Sequence, residues 1–141
     1  MIIAIDFDGT IVENRYPKIG KEIPFAIETI KLIQNELKHR VILWTVREGS
    51  ELDEAVNFCK SKGLNFYAVN KNHPEPSRPN EPRKLMADMF IDDRNFGGMP
   101  DWGLIYNSLK ENKIPQYHLN ETFRQFDVSK SKKGILQFIF N

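Results

Sequence analysis

Cysteine is nearly absent from this chain. The single residue, Cys59, cannot close an internal disulfide, and with no Cys/His ligand set a zinc site is excluded. An excess of charge is also lacking. Lys plus Arg number 20 against 19 Asp plus Glu, a net charge of +1. That excludes a nucleic-acid binder held by bulk charge alone, though not a local basic patch. No apolar run approaches the roughly 20 residues that span a bilayer, so no membrane partner is expected. The first ten residues meet charge at Asp6 and do not read as a secretory signal, which makes the cytoplasm the expected address. His39, His73 and His118 are scattered and receive no role.

What is present suffices for a core. The 141 residues are 40% hydrophobic and 28% charged, enough to close one domain over 1–141 and too apolar for a disordered chain. Short apolar runs alternate with helical patterns, the mark of βαβ units and a parallel sheet. Ile2-Ile3-Ala4-Ile5 reads as a strand buried on both faces, stopping at Asp6. Pro24 opens a helix in which Ile27, Ile30, Ile33 and Leu37 recur at helical spacing. Val41 to Trp44 is the second strand, ending at Thr45. Ser50 with Asp53 forms a capping-box-like start to a second helix, with Leu52, Val56 and Cys59 toward the core and Gly63 as its stop. Residues 65–69 read as a third strand. The stretch 70–83 holds four prolines and is a restrained loop. Lys84 to Met86 is expected as a short helical turn, 88–91 as the fourth strand, and Trp102 to Lys110 as a helix. Residues 116–141 stay open between helix, edge strand and arm. Within them Ile135, Leu136, Phe138, Ile139 and Phe140 either dock on the chain's own core or make a dimer contact.

Acidic residues stand at two strand ends, Asp6 and Asp8 after the first strand and Asp92 and Asp93 after the fourth. In an open parallel sheet that edge is where ligands bind. If the strands are neighbours, four carboxylates converge. Each like-charge pair at ~4 Å then costs about 4 kcal/mol at an effective dielectric near 20, so the cluster needs protons or a cation. All-oxygen donors suit a hard ion, Mg²⁺ above all. Asp8-Gly9 read alone is an ordinary turn dipeptide, but two acidic pairs at two strand ends point to a site.

Asp6-Phe7-Asp8-Gly9-Thr10 after a β-branched strand resembles the first motif of the haloacid dehalogenase-like superfamily of phosphohydrolases. Thr45 resembles its second motif, Lys84 is placed like the third-motif lysine, and Asp92-Asp93 resembles the fourth motif in its paired-aspartate form. The motifs run over about residues 2–93 and the likeness extends to about 110. The resemblance implies a Rossmann-like three-layer α/β/α sandwich with a mainly parallel sheet and the first strand central. It implies a Mg²⁺-dependent phosphatase in which Asp6 attacks phosphorus to form an aspartyl-phosphate and Asp8 handles protons. Thr45 and the amides after Asp6 would hold phosphoryl oxygens, with Gly9, Thr10 and Arg47 alongside as substrate-binding candidates. Lys84 would offset charge at Asp6 and the phosphoryl group, with Lys71 as its rival. The metal would take Asp6, the Asp8 carbonyl and Asp92 or Asp93, analogy leaning to Asp93. Arg47 and Arg94 flank strand ends and could meet phosphate.

Caps in this superfamily enter after the first motif or after the third strand. Residues 11–23 allow only a turn-and-flap segment and 70–83 only a loop, so the capless form is implied. An open site suits a large substrate or a partner subunit as lid. Arg15, Tyr16, Lys18 and Lys21 lie on the flap. The expected partner is a phosphorylated small molecule or macromolecule, with a homo-oligomer as a further possibility and no strong nucleic-acid signal. The alternatives are a polynucleotide or protein phosphatase, and a phosphate-binding module with little turnover.

Overall fold

A computed structural model describes residues 1–77 and 79–113. The alternatives for 116–141, including the apolar run at 135–140, lie outside the described residues. Four strands and three helices follow one another as β1 (Ile2–Ile5), α1 (Ala26–Asn35), β2 (Arg40–Leu43), α2 (Gly49–Ser61), β3 (Ala68–Val69), β4 (Met89–Ile91) and α3 (Trp102–Glu111). The strands form one all-parallel sheet in the order β3-β2-β1-β4. This is the Rossmann-like α/β arrangement expected, with β1 in the interior.

Alternation along the strands assigns two faces. Ile3, Ile5, Val41, Leu43 and Ile91 share one core with Ile27, Ile30 and Ile33 of α1, Ala55 and Cys59 of α2, and Trp102, Ile105 and Leu109 of α3. All three helices therefore cover the same face. The connections β1–α1–β2 and β2–α2–β3 step in one direction across the sheet, and right-handed crossovers then put both helices on one side. The β3–β4 connection steps back toward the opposite side, and there it is a loop. Leu85 from that loop packs on Ala4, Ile42 and Ala68, with Ala87 beside them. Buried Asn72 ties the loop together, accepting from the Met86 amide at 2.6 Å and donating to Glu81 at 3.3 Å. Among the described residues the third layer is thus loop where the resemblance implies helix.

Several boundaries differ from expectation for local reasons. α1 begins at Ala26, two residues after Pro24, because Phe25 is left-handed at φ 66°. α2 begins at Gly49, so Ser50 is already inside the helix. Its hydroxyl donates to Glu51, and the Ser50–Asp53 capping box does not form. β3 pairs only at Ala68 and Val69, although the Tyr67 amide still reaches the Val41 carbonyl at 2.8 Å. The helical turn expected at Lys84–Met86 is absent, that segment being a bend at Lys84 followed by irregular loop. α3 follows expectation and is capped by Asp101, which accepts from the Leu104 amide at 3.0 Å.

The segment between β1 and α1 is a small flap. Glu13 donates to Lys21 and Ile23 to Ile11 through the backbone. Gly20 is needed there because a Cβ would overlap the Glu13 carbonyl. Trp102, 2% exposed, braces the base of this segment by donating its indole N–H to the Thr10 carbonyl at 3.2 Å. Trp102→Ala is expected to cost about 3–5 kcal/mol in urea unfolding, from the cavity it leaves and the lost bond.

Candidate active site at the carboxyl edge of the sheet

Strand register decides what meets here. Ile5 pairs with Leu43 on one side and with Ile91 on the other. The next residues, Asp6, Trp44 and Asp92, therefore leave the sheet at one level. The Asp6 amide donates to the Ile91 carbonyl at 3.0 Å and the Trp44 amide to the Ile5 carbonyl at 2.8 Å. β1 has β2 on one flank and β4 on the other, so the chain connections diverge at this point and leave a crevice. A cavity of about 310 Å³ lies there, lined by Asp6, Asp8, Trp44, Thr45, Val46, Asp92 and Arg94.

The carboxylates of Asp6, Asp92 and Asp93 each bring an oxygen within 4.8 Å of the others. Burial of Asp6, reinforced by the charges of Asp92, Asp93 and Asp8, raises its pKa from 3.8 to about 7 against an opposing hydrogen bond from the Phe7 backbone. Asp93 Oδ1 is buried with no hydrogen-bond partner among the described residues. An orphaned carboxylate oxygen in an all-oxygen set is what a hard divalent cation would satisfy, so the residues present fit Mg²⁺. Both fourth-strand aspartates join the group. Asp92 Oδ1 accepts from the Arg94 amide at 2.8 Å.

Two small residues let the two strand ends approach. Gly9 sits at φ 93°, and a Cβ on it would overlap the Asp93 carboxylate. The Thr10 hydroxyl accepts from the Asp93 amide at 3.1 Å and donates to Asp6 at 3.4 Å. Both residues therefore shape the site from within the protein. Thr45 lines the cavity, and its oxygen accepts from the Arg47 amide at 3.2 Å. Asn70, left-handed at φ 52° just past β3, holds this turn by accepting from the Thr45 amide at 2.8 Å and donating to the Arg47 carbonyl at 3.3 Å. Sequence reasoning passed over Asn70. The available signal was an Asn, tolerant of that conformation, directly after a strand.

Asp8 and Arg47 correct the expectations most. Arg47 is buried and grips Asp8 with two bonds of 2.7 Å, Nε to Oδ2 and Nη2 to Oδ1. The same guanidinium donates to the flap carbonyls of Pro17 at 2.8 Å and Lys18 at 3.1 Å, and lies between the rings of Phe7 and Tyr16. With these donors engaged, Arg47 does not reach the cavity as a phosphate contact. The lysines also differ from expectation. Lys84 is exposed, does not line the cavity and makes no ion pair among the described residues. Lys71 is turned to the carbonyls of Pro74 and Glu75. Among the described residues the cationic side chain that lines the cavity is Arg94.

Arg47→Ala is expected to cost about 3–5 kcal/mol in chemical denaturation, since it leaves Asp8 charged and buried without a partner. A second outcome concerns pH. The raised folded-state pKa of Asp6 means the folded protein holds its proton where the unfolded chain has lost it. Without metal, stability should therefore fall as pH rises from about 3.8 to about 7, and Asp6→Asn should remove that fall. Added Mg²⁺ should raise the melting temperature more at pH 8 than at pH 5, because it competes with the proton. Thermal melts with Mg²⁺ or with chelator across that range check both.

No known-family profile matches the chain, and no curated protein does. Among solved structures, a conserved protein from Bacteroides thetaiotaomicron is 64% identical, covering 81% of this chain and 93% of its own, with a TM-score of 0.77. At that identity and coverage the two share their fold and descent, and the chain belongs to the same family as this Bacteroides thetaiotaomicron protein.

Proposed function

We propose that the protein is a Mg²⁺-dependent phosphohydrolase of the haloacid dehalogenase-like type, acting through an aspartyl-phosphate on Asp6. The observation that carries this reading is the convergence of Asp6, Asp92 and Asp93 beside an open cavity, with Asp93 Oδ1 left unpartnered. The ion, held by those three carboxylates, would supply positive charge against Asp6 and the phosphoryl oxygens.

The chain's own residues divide the remaining work. An Asp6 oxygen attacks phosphorus, the bond to the leaving oxygen breaks, and that oxygen takes up a proton. Water then attacks the same phosphorus, releasing phosphate and restoring Asp6, so the balance is ester plus water to alcohol plus phosphate. Asp8 serves as the proton carrier for both halves. Arg47 fixes its orientation, and each Asp8 oxygen keeps a lone pair beyond the one Arg47 uses. The Thr45 hydroxyl, on the cavity wall, would donate to a phosphoryl oxygen, and Arg94, which also lines the cavity, would supply the positive charge anticipated from Lys84.

The test is hydrolysis of an aryl phosphate with and without Mg²⁺. Activity should require the ion, and Asp6→Asn should lower kcat by about 10³ or more, the scale on which loss of a nucleophile registers. Activity that survives this substitution would remove Asp6 as nucleophile. Tight binding of a phosphate mimic without turnover would instead favour a binding module.

A further inference from the structure

Taking the phosphohydrolase reading as its base, we propose that the site selects phosphomonoesters whose leaving group carries a flat, largely apolar ring, a nucleoside being the natural example. Trp44 is the specificity-determining residue.

The two walls of the cavity differ in chemistry. On the β4 side stand Asp92 and Arg94, and on the β2 side Trp44, Thr45 and Val46. The first wall suits a metal-bound phosphoryl group. The second offers an aromatic and an aliphatic surface directly beside the nucleophile, because register sets Trp44 level with Asp6. Trp44 packs on the small cluster of Ala4, Ile42 and Ala68, which anchors the ring, yet part of it still faces the cavity. Its indole N–H makes no hydrogen bond among the described residues, and a ring nitrogen or carbonyl of the ligand would serve as its acceptor. Val46 is 75% exposed on the same wall. An aliphatic side chain there gains little from the protein's own packing and gains more when a ligand covers it.

Among the described residues a leaving group that projects from phosphorus meets no large cap. The flap is pinned through the Pro17 and Lys18 carbonyls to Arg47, and Arg47 lies behind Asp8. Among the described residues that line the cavity, the apolar surface beside Asp6 is that of Trp44 and Val46. A planar ring can lie against both, whereas a polyol would lose water along this apolar surface and recover few of its hydrogen bonds.

Adenosine 5′-monophosphate and ribose 5-phosphate present the same phosphoryl group on the same primary alcohol and differ in the base. With water the first yields adenosine and phosphate. Steady-state kinetics with Mg²⁺ should show a higher kcat/KM for the nucleotide. Trp44→Leu should lower the nucleotide-to-sugar ratio about tenfold, chiefly through KM, and Trp44→Phe should keep most of it. In the Asp6→Asn protein, adenosine 5′-monophosphate should quench tryptophan fluorescence and ribose 5-phosphate should not. The quench should vanish when Trp44→Leu is added, since Trp102 is buried. Hydrolysis of aryl phosphate with no preference between nucleotide and sugar phosphate overturns this inference alone. So does a ratio that Trp44→Leu leaves unmoved. If Trp44→Leu fails to fold, the wild-type preference decides, together with Trp44→Phe, which should keep most of the kinetic ratio while losing the quench with its fluorophore. Absence of hydrolysis on every phosphomonoester overturns the phosphohydrolase reading, and this inference with it.

Discussion

The buried pair of Arg47 with Asp8 joins three stretches of chain that sequence keeps apart: the end of β1, the turn after β2 and the tip of the flap. A guanidinium and a carboxylate taken out of water carry a desolvation cost of several kcal/mol each. That cost is offset only when geometry is good and the remaining donors are filled. The geometry is good, and four of the five guanidinium N–H donors are filled. The planar fork meets both carboxylate oxygens, two backbone carbonyls take further N–H groups, and the faces of Phe7 and Tyr16 lie against the charge. Lysine, with a single compact head, could not replace this arrangement. The pair also gives the two first-strand aspartates different surroundings. Asp8 is committed to Arg47, while Asp6 is left among like charges.

That crowding is sustained by the rest of the fold. Three carboxylates near one point repel, and burial of Asp6, with the neighbouring charges, raises the cost of ionising it. The sheet ladder between β1 and β4, the Thr10 hydroxyl that bonds to both strand ends, and the bare Gly9 backbone against Asp93 hold them together. Trp102 links this loop to α3 and so to the hydrophobic core. The helices on one face of the sheet thus stabilise a loop that would otherwise relax and separate the charges. Cys59 belongs to the same core. Burial pushes its thiol up to about 12, so it is a packing residue and not a reactive one.

Much of this was legible in the residues themselves. The β-branched run 2–5, the apolar stretch at 41–44 and the helical spacing of Ile27, Ile30 and Ile33 each name a buried element, because burial demands that periodicity. Position after a strand end marked Asp6, Asp8, Thr45, Asp92 and Asp93. The role of Gly9 was partly visible, since Asp-Gly marks a turn, but its reason was not. The glycine is required by Asp93, which lies 84 positions further along the chain. Arg47 and Lys84 were misread for a related reason. A charged residue near a strand end in sequence can point at substrate, at a partner side chain or at water, and local pattern is the same in all three cases.

Sequence by itself determined the elements, their parallel pairing and the acidic strand ends, since hydrophobic period and turn chemistry act over a few residues. Tertiary structure alone decided which carboxylates meet, which cation holds Asp8, that Lys84 stands aside, and that Trp44 and Asp6 line one cavity. Those outcomes depend on strand order and register, which bring distant residues within a few ångströms, and interactions at that range have no signature in the local chain.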